Sequence, residues 1–336
     1  MGTCYNLMCP PKDYTFIPFN DFKARIPAEI YNKMNSNNDI QNEKYKTTLE
    51  SSFNQNIYYH GEYNCDYQKQ GKGYLIIEKL NAEPIFYKGT FDKDYLIQGT
   101  IYNLKQKSEY NGNIEKYTPS GKGKLVVENG EIYEGNFKKG IKDGIGKQTL
   151  PNGTIYEGCF KNNKKNGKGI ITFQDGTKYD GEFKDDEFEG KGVMTWSNVT
   201  YDGFFKASAF SGIGTLKGNN EEYRGYFEGG KFHGKGVYKW EKDNEIYDGD
   251  YSNGFKDGKG TFTFKNRDVY DGQFESGEAN GKGVYKKQDV EYQGEWKTGH
   301  CLKIQKGKEE IEDKSSFDIK FPRENILLNK NLKASI

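Results

Sequence analysis

The sequence predicts an all-β protein: an elongated single-layer twisted antiparallel sheet of tandem β-hairpin repeats, with short non-repeat caps at both ends. Three observations predict it. A Tyr-x-Gly motif recurs at near-constant spacing over most of the 336 residues. A Gly-x-Gly follows it at a fixed distance in most copies. Around both motifs apolar and polar residues alternate with a period of two, which puts each set on its own face of a strand. Self-similarity at such a period is the signature of a repeat architecture and governs every later assignment.

The units open at Tyr59, Tyr87, Tyr110, Tyr133, Tyr156, Tyr179, Tyr201, Tyr223, Tyr247, Tyr270 and Tyr292, mostly 22 to 24 residues apart. The one step of 28 residues carries an insertion near Glu78 to Pro84. Every unit has Gly two residues after the Tyr, and ten of the eleven have an aromatic residue two beyond that, Ile114 being the exception. Nine carry Gly-x-Gly, in eight of them starting eleven residues after the Tyr. The interior of a unit is therefore fixed and the slack falls at turns.

Within a unit the first strand alternates, as in Tyr156, Gly158 and Phe160 against Glu157 and Cys159. The second does the same, as in Gly190, Gly192, Met194 and Trp196. One face thus carries Gly and large rings, and the other is largely polar. Glycine inside a strand weakens it and marks a close approach. Here it leaves bare backbone onto which Tyr and Phe rings can lie, and each aromatic pair can add about 0.5–1.5 kcal/mol beyond area burial. The dipeptides Asn129-Gly130, Asn152-Gly153 and Asp175-Gly176 predict type I′ turns between hairpins, with longer turns inside them, as over Lys138–Asp143. On the polar face Glu134, Glu157, Asp180, Asp202, Asp248 and Asp271 follow the Tyr, and Lys occupies the centre of seven Gly-x-Gly motifs. Cross-strand pairing between these two sets is expected at roughly 0.2–1 kcal/mol per pair.

These units resemble the MORN repeat family, whose copies read roughly Tyr-x-Gly-x-Phe, a short turn, then Gly-x-Gly. The resemblance covers about residues 58–305. The expected organisation is an N-terminal lead and flexible or capping segment over 1–57, the repeat array over 58–305 and a C-terminal capping tail over 306–336. In the lead, Pro27 predicts a short helix through Ile30, because Pro suits a first helical turn, and residues 32–56 read as a linker. In the tail, Phe317, Ile319 and Phe321 alternate like a strand, and Pro322 opens a short helix through Ile326, Leu327 and Leu328.

Composition excludes several classes. With 50 basic and 49 acidic residues the formal net charge is +1, which argues against nucleic acid as a partner. The five Cys are scattered without Cys-x-x-Cys, so neither a zinc site nor a disulfide framework is indicated and a reducing compartment is expected. No apolar run approaches the length of a membrane span. Gly-Lys-Gly lacks the spacing of a phosphate loop. His60, His233 and His300 sit far apart at repeat positions and read as exposed strand or turn residues. No catalytic, cofactor-binding or metal-binding residue is predicted, and no enzyme activity is expected.

Two features point to function. A one-layer sheet leaves an aromatic face to be covered by the chain's own tails or by a partner, since exposed apolar patches mark interaction sites. The candidate partner-binding residues are Tyr156, Phe160, Tyr179, Phe183, Trp196, Tyr223, Phe227, Trp240, Tyr247 and Phe264, whose first role is to hold the sheet. The second feature is Met1-Gly2-Thr3-Cys4. Gly2 is a candidate for myristoylation and Cys4 and Cys9 for palmitoylation, although Asn6 stands where that motif takes Ser or Thr.

The resemblance implies a non-catalytic scaffold or tethering protein that binds protein partners, as radial-spoke heads of the ciliary axoneme do in the cytoskeleton. Alternatives are a lipid-anchored membrane tether, as in junctophilins, and a regulatory subunit of a separate enzyme such as a phosphoinositide kinase. The expected localisation is cytoplasmic, with cytoskeleton or cilium ahead of a membrane anchor. Edge strands leave homo-oligomerisation open.

Overall fold

The computed structural model describes residues 15–35, 39–42, 44–288 and 290–322. Their 25 strands belong to one open antiparallel sheet. The chain divides into two compact units, Met1–Lys164 and Lys165–Ile336.

The first unit begins with β1 (Thr15–Phe16), α1 (Phe19–Lys23), α2 (Ala28–Met34), β2 (Lys46–Ser52) and β3 (Gln55–Tyr63). It continues through β4 (Lys69–Lys79), β5 (Ile85–Asp92), β6 (Tyr95–Asn103), β7 (Ser108–Glu115), β8 (Thr118–Val127), β9 (Ile132–Lys138), β10 (Ile141–Thr149) and β11 (Ile155–Lys161). The predicted helix after Pro27 is α2. Residues 46–56, read from sequence as linker, instead hold β2 and the start of β3, paired from Lys46↔Gly61 to Ser52↔Gln55. Their polar composition hid a strand buried on both faces, through Thr47 on one and Thr48 on the other.

Both faces of the sheet are covered at this end. Phe22, Ile26, Ile30, Met34, Ile40 and Tyr45 pack on Tyr58, Tyr74, Ile76, Phe86 and Tyr102. The neighbours Tyr59, Leu75, Ile77 and Tyr87 are buried on the opposite face. That is why Tyr74-Leu75-Ile76-Ile77 runs apolar without alternation: a strand buried on two faces needs no polar set. His60 belongs to this cluster. It is buried, contrary to the exposed position read from sequence, with its ring 4.6 Å from Phe19 and 5.4 Å from Phe22.

The second unit holds β12 (Lys164–Thr172), β13 (Lys178–Lys184), β14 (Glu187–Trp196), β15 (Val199–Lys206), β16 (Ala209–Gly218), β17 (Glu221–Glu228) and β18 (Lys231–Trp240). It ends with β19 (Glu245–Ser252), β20 (Phe255–Thr263), β21 (Val269–Glu275), β22 (Glu278–Lys287), β23 (Val290–Lys297), β24 (His300–Lys306) and β25 (Glu309–Glu310). The strands β3 to β24 are the two strands of each of the eleven expected hairpins.

The register is set by glycine opposite glycine. In the second unit Gly169 faces Gly181, Gly181 faces Gly192, and the row continues through Gly203, Gly214, Gly225, Gly236, Gly249, Gly260, Gly272, Gly283 and Gly294. The same row runs through the first unit, for example Gly112↔Gly123↔Gly135↔Gly146. This register corrects the expected charge pairing. With Gly192 opposite Gly203, Asp202 meets Val193 and Lys191 meets Phe204. The Lys of a Gly-x-Gly therefore faces the residue after the next Gly, as in the ion pair of Lys235 with Asp250 at 2.8 Å.

The turns are also reassigned. Inside every hairpin but the first, whose loop is Asn64–Gln68, they have two residues, both with positive φ, such as Lys139-Gly140 (50° and 83°), Asn162-Asn163 (51° and 68°) and Asp185-Asp186 (50° and 76°). These are the type I′ turns. The predicted dipeptides instead close three-residue loops in which only the Gly has positive φ, 93° at Gly130, 82° at Gly153 and 81° at Gly176. Asn129, Asn152 and Asp175 hold them with side-chain oxygens that accept from the N–H two residues on. The extra residue there shows that Asn-Gly supports a type I turn with a Gly bulge as well as a I′ turn.

The tail has no strand at Phe317–Phe321. A short 3₁₀ turn over Ser315–Phe317 precedes an extended stretch that pairs with no strand. The predicted helix through Ile326, Leu327 and Leu328 lies outside the described residues.

Candidate functional site

The candidate site is the ring-bearing face, and it is built from one relationship repeated. In the unit at Tyr179, the Tyr ring lies over the glycine pair. A Cβ added at Gly192 would stand 2.5 Å from Tyr179 Cε2, and one at Gly181 would stand 2.6 Å from its Cζ. The Tyr179 hydroxyl donates to the Glu182 carbonyl at 2.8 Å. Both glycines of Gly-x-Gly are needed, for different reasons. Gly192 is needed for space, and Gly190 because it sits at φ +65° beside a bulge between Gly181 and Glu182.

The same hydroxyl bond recurs from Tyr110, Tyr133, Tyr156, Tyr201, Tyr223, Tyr247 and Tyr270 to the carbonyl three residues on, at 2.6 to 3.1 Å. Burial raises the pKa of the phenols of Tyr110, Tyr133, Tyr179, Tyr201, Tyr223 and Tyr270, to about 12 at the first two.

In three successive units the Tyr then meets the same set of three rings. Tyr179 stands edge-on to Phe183 at 5.2 Å and Phe205 at 4.9 Å, and stacks on Phe188 at 4.0 Å. Tyr201 repeats this with Phe205, Phe227 and a stacked Phe210 at 3.9 Å. Tyr223 does so with Phe227, Tyr251 and a stacked Phe232 at 3.9 Å. At the next two units the stacking position holds Lys256 and Ala279 instead. Lys256 is buried, its Nζ 5.6 Å from the Tyr247 ring and 5.0 Å from that of Trp240.

Of the ten residues singled out on this face, Tyr156, Phe160, Tyr179, Phe183, Trp196, Tyr223, Phe227, Trp240 and Tyr247 are buried, and Phe264 is half-buried. Their packing role is thus visible. Trp196 at 7% and Trp240 at 5% exposure lie where β14 and β18 end. The lipidation candidates Gly2, Cys4 and Cys9 lie outside the described residues. His233 and His300 stand beside carboxylates, Glu228 at 3.4 Å and Asp318 at 3.1 Å.

Two groups escaped the sequence reading. Glu221 and Asp268 are buried acids that accept the hydroxyls of Tyr238 and Tyr285, the latter at 3.0 Å. Their signal is an acid two residues before the unit's Tyr, in a unit whose next strand carries Tyr two residues after Gly-x-Gly. The other group is Phe204, Ile213 and Tyr226 on the polar face, exposed by 49%, 73% and 43%. Ile213 faces Tyr226 across β16 and β17. At the corresponding positions one unit earlier stand Glu182 and Lys191.

Residues 133–155, 156–178, 179–198, 223–245, 247–269 and 270–289 match the MORN repeat. The unit at Tyr201 falls between these matches, yet its ring covers Gly203 and Gly214 in the same way. No curated protein matches the sequence.

Proposed function

From the premise that the chain is a MORN-repeat protein, we propose that it is a non-catalytic scaffold that binds a protein partner along its ring-bearing face. The observation that carries this reading is the commitment of the recurring polar groups. The Tyr hydroxyls are spent on backbone carbonyls, and the recurring Lys and acids of the other face are spread one to a strand, with Asp202 opposite Val193 and Lys191 opposite Phe204. Chemistry needs titratable groups converging on one pocket, whereas this lattice disperses them at equal steps. What the repeats supply instead is a row of equivalent apolar positions.

The proposed seat is centred on Trp196 and Trp240, with Phe264 as the least buried member. The proposed setting is a cytoskeletal assembly, with the ciliary axoneme as its first candidate. The balanced charge supports this over direct adhesion to anionic lipid, which a basic stripe would favour. Self-association by edge pairing is disfavoured, because β1 and β25 are two residues long and β25 is Glu309-Glu310.

The test is Trp196→Ala with Trp240→Ala in the full chain. Partner capture should fall while circular dichroism stays native. Unchanged capture with native dichroism would remove the seat from these residues.

A further inference from the structure

The described part of the tail follows a defined track. The Phe317 carbonyl accepts from Trp296 Nε1 at 3.0 Å, and its ring lies 4.9 Å from Tyr292 and 5.7 Å from Tyr285. The Ile319 N–H donates to the Gly299 carbonyl at 2.8 Å, and the Asp318 carboxylate accepts from the Cys301 N–H at 2.9 Å. Four residues beyond Phe317, the ring of Phe321 lies 4.8 Å from Phe262 and 5.1 Å from Phe274. The chain has therefore moved from β23 and β24 back to β20 and β21, against the order of the repeats and on the ring-bearing face.

Phe321 also has a reason to stop where it does. Phe188, Phe210 and Phe232 stack on the Tyr of their own units, but Ala279 leaves that position without a ring. Phe321 supplies one, 6.2 Å from Tyr270. Lys256 then links this plug to the next stretch of the face, its Nζ 5.8 Å from Phe321 and 5.0 Å from Trp240.

We propose that residues 323–336 continue on this track and occupy the face over Trp240 and towards Trp196, so that the partner seat is held by the chain's own C-terminal segment. The inference rests on the reading of that face as a seat for an apolar segment. The segment carries Ile326, Leu327, Leu328, Leu332 and Ile336, with Leu328, Leu332 and Ile336 spaced by four. Its length fits. From β20 to β14 is six strand steps, roughly 29 Å at about 4.8 Å each. The fourteen residues after Pro322 span about 21 Å as a helix and up to about 45 Å extended. Trp240, two steps from β20, is within reach in either form.

Two measurements on the full chain test this. The photo-reactive residue benzoylphenylalanine at Leu328 should cross-link within one molecule to the ring-bearing face of β14–β19, with Trp240 among the targets. Cross-links confined to residues 309–322, to the opposite face at Phe204 and Ile213, or to a second copy would overturn the proposal. In the second, a fluorescent peptide of residues 316–336 is titrated into the wild type and into Leu327→Asp/Leu328→Asp. A tethered segment competes at an effective concentration near the millimolar range. The peptide should therefore bind the variant about tenfold more tightly than the wild type. Equal binding to both would overturn occupancy by the tail and leave the scaffold reading intact. Absence of binding to either would also overturn this proposal, whereas the scaffold reading fails only on partner capture by the Trp variants.

Discussion

Tyr179 lies over Gly192 so closely that a single added methyl carbon would stand 2.5 Å from the ring. Gly192→Ala should therefore cost about 1–3 kcal/mol by overpacking alone. In a Tyr179→Ala background the same change should cost much less, because the ring it collides with is gone. Urea denaturation of the four proteins of this cycle measures the coupling. A Gly192→Ala penalty that persists undiminished without the ring would show that the glycine is needed for something else.

The tyrosine hydroxyls make stability sensitive to alkali. Burial raises the phenols of Tyr110 and Tyr133 to about 12, above the ordinary value of 10.0. A folded-state pKa above the unfolded one means that the unfolded chain releases its protons first. The stabilisation is complete below pH 10 and is lost as pH rises towards 12. Unfolding midpoints should fall across that window, and less steeply in Tyr133→Phe. That variant should also lose about 1 kcal/mol at neutral pH, through the unmet carbonyl of Asn136.

His60 gives an acid counterpart. Its Nε2 bonds the Ile40 carbonyl at 2.8 Å, so that nitrogen carries the proton and Nδ1 accepts from the Thr47 hydroxyl at 2.8 Å. Burial lowers its pKa from 6.5 despite the Ile40 bond. The unfolded chain then binds the proton first. The stabilisation is present above pH 6.5 and lost as pH falls below it. The drop in urea midpoint between pH 7.5 and 5.0 should shrink in His60→Gln. An equal drop in both proteins would place the acid sensitivity elsewhere.

Ala207 holds φ 48° at the first position of a type I′ turn, where the units at Asn162, Asp185, Gly229 and Asn253 use residues that take a left-handed conformation more readily. Ala207→Gly should relieve a left-handed conformation costing about 1–2 kcal/mol, offset in part by the entropy of glycine. A gain of about 0.5–1 kcal/mol is expected, read from the thermal midpoint. A loss would show that the Ala207 N–H bond to the Glu189 carboxylate at 3.2 Å depends on the alanine.

The fold was legible because each unit repeats its own constraint. Tyr179, Gly181, Phe183 and Gly192 announce one strand pair, and ten further copies remove the ambiguity of any one. Register was harder to read. Whether Lys191 meets Asp202 or Phe204 depends on which residues pair, and only the glycine row decides it. Turn type failed because Asn152-Gly153 suits two loops that differ by one residue. The candidate face was read as rings awaiting a cover, but Tyr179 and its neighbours are already buried against one another. The coverage at the N-terminal end was written in Tyr74–Ile77, where alternation stops. The buried acids Glu221 and Asp268 were missed because the Tyr hydroxyl each meets lies 17 residues further on, two past the next Gly-x-Gly, so that neither motif by itself points to the other.

The most direct test of the scaffold reading is cross-linking mass spectrometry on the natively purified protein with its bound partner. The account predicts partner cross-links to residues flanking Trp196 and Trp240 on the ring-bearing face, lost in Trp196→Ala/Trp240→Ala. Partner cross-links clustered instead around Phe204, Ile213 and Tyr226, and retained in that variant, would contradict it.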